Sequence, residues 1–301
     1  MNDPPRVRFC DLPTPVRSLH GLSDRLWMKD DSHTASLWGG NKPRKLEFVI
    51  GDALARGKRA ILTFGALGTN HGLATALYAR ENGLACVLCL VDQPVDDHVR
   101  AQLERIGDSG AIVYRTGTFR RTALRMPWLL ARHRLPYVLP AGGSSPVGVL
   151  GFVAAARELA QQVRAGELPE PSEVWCALGT GGTAAGLLLG LRLEGLQTEI
   201  KAVHVNDQLE LSEATILKLV RKAAAKLEVE APADGVEVVH GYLGGGYGHA
   251  TPAGTAALER ARDAEGLKLD PVYTSKTMAA LLDRLPSTGG PVLYWHTYNG
   301  V

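Results

Sequence analysis

Short apolar runs alternate with longer segments of helical periodicity through most of this chain. Residues 60–64 and 85–91 are typical of buried strands, and a segment with helical spacing of its apolar residues follows each of them. Alternation of this kind places parallel strands in a sheet and their crossover helices on its faces. The sequence therefore predicts an α/β fold of mostly parallel open sheets flanked by helices.

Two breaks interrupt this alternation. A turn at residues 142–146 and a linker at residues 165–171 contain most of the glycine and proline of their neighbourhood. They predict a small inserted α/β lobe at residues 51–146 and a large lobe formed by residues 1–50 and 147–301. The cleft between two such lobes is a natural place for a ligand.

The composition favours a protein that works on small molecules. The net charge of +2 and the lack of long lysine and arginine runs argue against nucleic acid as a partner. Neither an export signal nor a membrane-spanning stretch is visible, so the expected location is the cytoplasm. The four cysteines are too few for a disulfide framework in 301 residues, and Cys86 and Cys89 fall inside an apolar run as core thiols.

A lysine lies where a glycine turn, residues 39–40, leads into a helix. Asn41 is a candidate N-cap of that helix, and the proline two residues later is tolerated only in the first turn. Lys42 therefore lies at the positive end of a helix dipole with Arg44 and Lys45 nearby, and these charges favour the neutral amine. A neutral amine can form a Schiff base. The alternative is an ordinary solvated lysine.

A glycine loop follows the strand at residues 174–178 and opens a helix. The loop consists of Gly179, Thr180, Gly181, Gly182 and Thr183. Its backbone N–H groups and the helix N-terminus form an anion cradle, which predicts a bound phosphate. The spacing also fits a relaxed dinucleotide fingerprint, with Asp207 as the ribose-binding acid. A nucleotide-binding protein and a ligand-free turn are both alternatives.

A phosphate cradle and a reactive lysine together fit pyridoxal phosphate, which carries a phosphate and a carbonyl that condenses with lysine. Residues 65–72 follow a strand at the edge where open α/β sheets bind ligands. Taken alone, Thr69 and Asn70 are most simply helix caps. Beside the other two segments, they could face a bound amino acid and the ring hydroxyl of the cofactor.

The chain resembles the 1-aminocyclopropane-1-carboxylate (ACC) deaminase and D-cysteine desulfhydrase family in several motifs that occur in family order. The motifs are Gly39-Gly40-Asn41-Lys42-x-Arg44-Lys45-Leu46-Glu47, Thr69-Asn70-His71, Pro140-Ala141-Gly142-Gly143-Ser144, the glycine loop, and Asp270-Pro271-Val272-Tyr273-Thr274. That family belongs to the tryptophan synthase β-like, fold type II enzymes. The resemblance implies two α/β lobes, pyridoxal phosphate in the cleft between them, no metal, and a homodimer.

The resemblance also implies how the cofactor is held. Lys42 would bind it as a Schiff base and later move the α-proton of the substrate. Asn70 would contact the ring oxygen, and the backbone of Gly179, Thr180, Gly181, Gly182 and Thr183 would contact the phosphate. Thr274 occupies the position that faces the pyridine nitrogen in the family.

The substrate site implied by the resemblance contains Thr69, Asn70, His71, Tyr247, Tyr273 and Thr297. Thr69 replaces a serine that binds the substrate carboxylate or acts as a nucleophile, and the two tyrosines flank the substrate. The family's residues just after His71, and its double glycine near the C-terminus, are also replaced here. These departures concern the substrate pocket and leave the lysine motif intact.

Two positions favour desulfhydrase activity over deaminase activity. Deaminases of the family have an acidic residue where this chain has Thr274 and a leucine where it has Thr297. A threonine keeps the ring nitrogen protonated less well than a carboxylate, and expelling a thiol needs a weaker electron sink than opening a cyclopropane. The prediction is a lyase that converts D-cysteine to pyruvate, ammonia and sulfide. ACC deamination, racemisation, β-substitution and a non-catalytic nucleotide-binding protein are the alternatives.

Overall fold

Two β-sheets organise residues 4–300, which are the part of the chain that the computed structural model describes. The strands are β1 (Val16–Ser18), β2 (Leu26–Asp30), β3 (Ala60–Ala66), β4 (Ala85–Val91), β5 (Ile112–Gly117), β6 (Tyr137–Leu139), β7 (Glu173–Leu178), β8 (Glu199–His204), β9 (Val236–Val239) and β10 (Val292–His296). The helices are α1 (Asn41–Ala55), α2 (Asn70–Glu81), α3 (Asp97–Asp108), α4 (Phe119–Arg132), α5 (Pro146–Arg164), α6 (Gly182–Leu193), α7 (Glu213–Leu227), α8 (Pro252–Glu265) and α9 (Thr274–Arg284).

The larger sheet has six strands in the order β1-β2-β10-β7-β8-β9, and the smaller has four in the order β5-β4-β3-β6. All neighbouring strands are parallel except β1 and β2. Although β10 comes late in the sequence, it lies in the middle of the larger sheet, where Val292 pairs with Leu26 on one side and Glu173 on the other. The predicted α/β fold with mostly parallel sheets is confirmed.

Helices cover both faces of each sheet. Apolar residues of α1, α5, α6 and α7 form a core with one face of the larger sheet, and α8 and α9 cover its other face. In the smaller sheet, Cys86 points to the side of α2 and Cys89 to the side of α4. Both cysteines are buried free thiols, as predicted.

Three strands lack the apolar run that marks strands such as β3 and β4 in the sequence. β1 and β9 are short, and β2 contains a lysine and an aspartate. Lys29 in β2 is fully buried, and its ammonium group donates to Glu158 and Gln162 on α5. Because those partners are distant in sequence, an apolar pattern could not identify this strand.

The smaller sheet is built entirely from residues 60–139, between the two parts of the chain that form the larger sheet. The predicted division into a lobe at 51–146 and a lobe at 1–50 and 147–301 stays a prediction. Its first boundary falls within α1, and its terminal residues 1–3 and 301 lie outside the described residues. No helix within residues 4–300 has the length and apolar character needed to cross a membrane.

Candidate active site

A cleft lies where segments that follow strands of both sheets meet. Its lining includes residues after β3, β4 and β6 of the smaller sheet and after β7, β8 and β10 of the larger one. The predicted site residues that line it are Lys42, Thr69, Asn70, His71, Gly179, Thr180, Gly181, Gly182, Thr183, Tyr247, Tyr273 and Thr297. The structure therefore brings together in one cleft every residue of the predicted pyridoxal phosphate and substrate sites except Thr274.

Lys42 lies in the first turn of α1. Gly40 precedes that helix with φ of 81°, and a Cβ atom there would lie 2.6 Å from the carbonyl oxygen of Thr297, so only glycine fits. The prediction that Asn41 caps the helix is wrong, because Asn41 is already helical and its side chain turns into the cleft. Its Oδ1 accepts a hydrogen bond from Lys42 Nζ at 2.5 Å.

Burial lowers the pKa of Lys42 to about 8, and the negative charge of Asp270 opposes this shift. Burial and then the charge of Lys42 lower the pKa of Lys45 to about 7. The expected direction for Lys42 is confirmed, but its cause is burial and neither Arg44 nor Lys45. The guanidinium of Arg44 points into the protein interior and binds Asp31 and Glu158.

The glycine loop forms a cradle at the start of α6. Gly181 has φ of 83°, and a Cβ atom on Gly182 would lie 2.5 Å from Ser144 Oγ and 2.9 Å from Lys45 Nζ. Ser144 Oγ also accepts from Gly182 N at 3.0 Å and lies 2.7 Å from Thr180 Oγ1. Helix N–H groups, hydroxyls and an amine thus converge on one small space, which fits a phosphate group.

Sequence reasoning missed Lys45 and Ser144 as part of this cradle. The signal for Lys45 was its spacing of three residues from Lys42, which places both side chains on the same face of α1. Ser144 ends the glycine-rich motif Pro140-Ala141-Gly142-Gly143-Ser144, which carries no local sign of a phosphate contact. Its contact with α6 depends on the packing of α5 and α6, which local sequence does not reveal.

The N-terminus of α2 also opens into the cleft. Thr69 is the N-cap, and its Oγ1 accepts from Gly72 N at 3.1 Å, which confirms the predicted capping role. Because that hydroxyl uses a lone pair for the cap, its own hydrogen is available to a ligand. The expectation that Asn70 is also a cap is wrong, because Asn70 is the first residue of the helix, and its Oδ1 accepts from Gln102 Nε2.

His71 is buried and neutral. Burial lowers its pKa well below the usual value, and the charges of Lys42 and Lys45 act in the same direction. Thr63 Oγ1 lies 2.9 Å from His71 Nε2 and donates its single hydrogen to Leu139 O at 3.0 Å. Nε2 must therefore carry the proton, which leaves Nδ1 as an acceptor without a partner in the described part of the chain.

The two predicted tyrosines, Tyr247 and Tyr273, contact each other in the wall of the cleft. Their hydroxyl oxygens are 2.5 Å apart, and burial raises the pKa of both, that of Tyr273 well above its usual value. Asp207 does not line the cleft, and its carboxylate accepts from the backbone N–H of Tyr247. This contact gives Asp207 a structural role and removes the main support for the dinucleotide alternative.

Thr274 lies behind the cleft wall and is 2 % exposed. Its hydroxyl donates to the Asp270 carboxylate at 2.5 Å, and that carboxylate also accepts from the backbone N–H groups of Val272, Tyr273 and Thr274. The predicted contact of Thr274 with the ring nitrogen stays a prediction. Asp270 itself lines the cleft and was missed as a site residue, although it begins one of the noted motifs.

Three comparisons with known proteins identify the family of this chain. The family model described as pyridoxal-phosphate dependent enzyme matches residues 7–297. D-Cysteine desulfhydrase from Klebsiella pneumoniae (strain 342) is 36% identical in an alignment covering 97% of this chain and 93% of the relative, and the enzyme of that name from Salmonella typhimurium is 35% identical with the same coverage. A crystal structure described as an ACC deaminase homologue superposes with a TM-score of 0.86 at 32% identity, covering 99% of this chain and 93% of that one.

More distant structures share the fold. Threonine deaminase isoform 2 from Solanum lycopersicum has a TM-score of 0.65 at 15% identity, covering 96% of this chain and 79% of that one. Serine racemase from Dictyostelium discoideum has a TM-score of 0.68 at 16% identity, covering 96% and 92%. The fold, the cleft with its lysine and phosphate cradle, and the family match lead to one conclusion: this chain belongs to the family of pyridoxal-phosphate-dependent enzymes.

Proposed function

We propose that the protein is a lyase that removes the α-proton of a small amino acid and eliminates its β-substituent, and that its substrate is D-cysteine. The single observation that carries the proposal is the cleft itself, in which an amine with a pKa of about 8 lies beside a phosphate cradle. The D-cysteine desulfhydrases at 36% and 35% identity support the choice of substrate.

The residues present would hold the cofactor at both of its ends. Lys42 would bind its carbonyl carbon, with the carbonyl oxygen leaving as water, while the N–H groups of the glycine loop and the ammonium of Lys45 would bind its phosphate. Asn70 would donate to the ring oxygen. When bound, pyridoxal phosphate supplies an electron sink for negative charge that develops at the substrate α-carbon.

The substrate carboxylate binds at the N-terminus of α2. The hydroxyl of Thr69 donates to one carboxylate oxygen, and the backbone N–H groups of Asn70 and His71 donate to the other. The positive end of the helix dipole adds to this attraction. In this proposal Thr69 acts by binding: its Oγ1 accepts from Gly72 N, and its hydrogen is left to donate to the carboxylate. Thr297 closes the pocket from the segment after β10.

Two groups move protons. Once the substrate amine has replaced it at the cofactor, Lys42 Nζ would be free to take the proton from the α-carbon, and this role requires the neutral amine that burial favours. The sulfur then leaves with the electron pair of the Cβ–S bond, and the Tyr247 hydroxyl gives it a proton. Tyr273 orients that hydroxyl through the short contact between their oxygens. The released aminoacrylate hydrolyses to pyruvate and ammonia.

The decisive experiment measures sulfide and pyruvate released from D-cysteine and L-cysteine, beside α-ketobutyrate released from ACC. We expect sulfide and pyruvate from D-cysteine at the highest kcat/KM. Lys42→Ala is the matched control and should form no product. Turnover of ACC without sulfide release would make the protein an ACC deaminase, the alternative that the structural neighbour favours. Interconversion of enantiomers or thiol exchange without pyruvate would indicate racemisation or β-substitution.

We further propose that the enzyme is a cytoplasmic homodimer. All four cysteines are free thiols, which suits a reducing compartment. Leu124 and Trp128 on α4 are 82% and 51% exposed, one helical turn apart, which suits a surface that pairs with a second copy. Sedimentation of wild type and Leu124→Glu tests this assignment: the variant should sediment as a monomer, and an unchanged dimer would move the interface elsewhere.

A further inference from the structure

Gln102 on α3 is a fully buried polar residue that neither the fold nor the proposed chemistry has so far used. It is 0% exposed. Its Nε2 donates to Asn70 Oδ1 at 2.5 Å, across 32 residues of sequence, whereas its Oε1 has no hydrogen-bond partner within residues 4–300. A buried amide lowers the stability of the folded state unless it is paired, so packing alone does not explain a buried glutamine at position 102.

The contact with Gln102 determines which way the Asn70 amide faces. With Oδ1 used as the acceptor for Gln102, the Nδ2 group of Asn70 is left to donate into the cleft that Asn70 lines. If the oxygen and nitrogen atoms of both amides exchanged places, the buried Gln102 nitrogen would lose Asn70 Oδ1 as its acceptor. Buried N–H groups without an acceptor are rarer than under-used carbonyl oxygens, so the observed arrangement is favoured.

We propose that Gln102 is a positioning residue that holds the Asn70 amide with its donor end toward the cofactor. The proposal rests on the proposed function, in which Asn70 contacts the ring oxygen of pyridoxal phosphate. An ionised ring oxygen accepts hydrogen bonds and is repelled by an amide oxygen. The orientation of one amide therefore decides whether Asn70 strengthens or weakens cofactor binding, and α3 controls it from outside the cleft.

Two variants of similar size separate orientation from packing. In Gln102→Glu, the ionised carboxylate accepts from Asn70 Nδ2 and turns Oδ1 toward the ring oxygen. In Gln102→Met, the anchor is lost but neither orientation is imposed. We expect the Kd for pyridoxal phosphate to rise about 10-fold to 100-fold in Gln102→Glu and less than about 10-fold in Gln102→Met.

The pH dependence gives a signature that a packing defect would lack. When the new carboxyl group is protonated it can donate to Asn70 Oδ1, as the amide of Gln102 does, so the defect of Gln102→Glu should grow as pH rises. The visible absorbance band of the lysine-bound cofactor should shift in the same pH range. Equal affinities and wild-type spectra for Gln102→Glu and Gln102→Met at all pH values would overturn the proposal.

A double-mutant cycle assigns the effect to Asn70. Asn70→Ala alone should weaken cofactor binding, and adding Gln102→Glu should weaken it no further. An undiminished effect of Gln102→Glu on the Asn70→Ala background would also overturn the proposal. Failure of the proposed function looks different, because wild type would then show no absorbance band that Lys42→Ala removes. In that case both proposals fall.

Discussion

Neighbouring basic side chains on the two sides of the first turn of α1 meet opposite environments. Lys42 and Lys45 face the cleft, and burial lowers the pKa of both amines, to about 8 and about 7. Arg44 lies between them in sequence but faces the interior, where Asp31 and Glu158 surround its guanidinium. Two carboxylates therefore hold Arg44 as a structural cation, whereas burial favours the reactive, neutral form of the two cleft amines.

The interior side is a closed network of charges and hydrogen bonds. Its members are Thr14, Lys29, Asp31, Arg44, Glu158, Gln162 and Trp295. They belong to α1, α5, β2, β10, the segment before β1 and the residue just after β2. The network fixes the start of α1 against β2 and β10. Lys42 and Lys45 are therefore held in place by groups that lie outside the cleft. The following predictions are ordered by the size of their expected effect on one side or the other.

Removing the amine of Lys42 should affect the cleft side alone. Lys42→Ala should lower kcat/KM by about 1000-fold or more, since the group that moves the α-proton is lost. It should also remove the absorbance band of the lysine-bound cofactor. The free energy of unfolding should change by less than about 1 kcal/mol, because the one acceptor left behind, Asn41 Oδ1, lines the cleft, where water can replace the amine. Steady-state kinetics, absorbance and denaturant unfolding test the three statements, and a large loss of stability would contradict this separation of the two sides.

Removing the charge of Glu158 should affect the interior side. Glu158→Gln should lower the free energy of unfolding by about 3 to 5 kcal/mol at pH 7, because Arg44 and Lys29 lose a buried partner. Contacts with Arg44 and Lys29 outweigh burial and lower the pKa of Glu158 to about 2. A lowered carboxyl pKa contributes stability above the unfolded-state value and loses it on acidification.

The difference between wild type and Glu158→Gln should therefore shrink as pH falls from about 4.5 toward about 2. Urea unfolding at several pH values measures it. Glu230→Gln, at an exposed position, is the matched control and should change stability by less than about 0.5 kcal/mol. A difference that is independent of pH would show that the charge of Glu158 is not what stabilises the network.

Replacing Lys45 should weaken binding of the cofactor phosphate and leave the bond between Lys42 and the cofactor intact. Lys45→Met should weaken pyridoxal phosphate binding by about 10-fold to 100-fold, because a charge-assisted contact to the phosphate is lost. Pyridoxal, which lacks the phosphate, is the matched ligand control and should bind wild type and variant equally. Equal losses for both ligands would place Lys45 outside the phosphate cradle.

The smallest expected effect is the coupling between the two cleft amines. Sulfate binding to the cradle should weaken as pH rises through about 7, where Lys45 loses its proton. Because the charge of Lys42 helps to lower that pKa, Lys42→Ala should move the midpoint to higher pH. Calorimetric titration with sulfate at a series of pH values measures both midpoints, and identical midpoints would mean that the amines do not interact.

Local patterns were enough to predict the fold and much of the cleft. The glycine turn before Lys42 and the loop before α6 are continuous in sequence, and their chemistry follows from strand-to-helix geometry. The interior side of α1 could not be predicted in the same way. Glu158 lies 114 residues from Arg44, and neither residue carries a local sign of the other.

The errors have the same physical origin. Asn41 was expected to cap α1, but the helix already includes it, and contacts with Lys42 and Thr183 draw its side chain into the cleft. Gln102 was not singled out, because its importance depends on a contact with Asn70 across 32 residues. Sequence identifies groups capable of the chemistry, while tertiary packing decides which of them meet.

The central position of β10 has a consequence for the newly made chain. β2 and β7 join the same sheet only through β10, and the segment just after β10 supplies Thr297 to the cleft. A ribosome-bound chain that has not yet released residues 292–297 has neither a continuous larger sheet nor a closed pocket. We therefore expect cofactor capture only once residues 292–297 have joined the fold, and a chain shortened before β10 should show no visible cofactor absorbance although it contains Lys42.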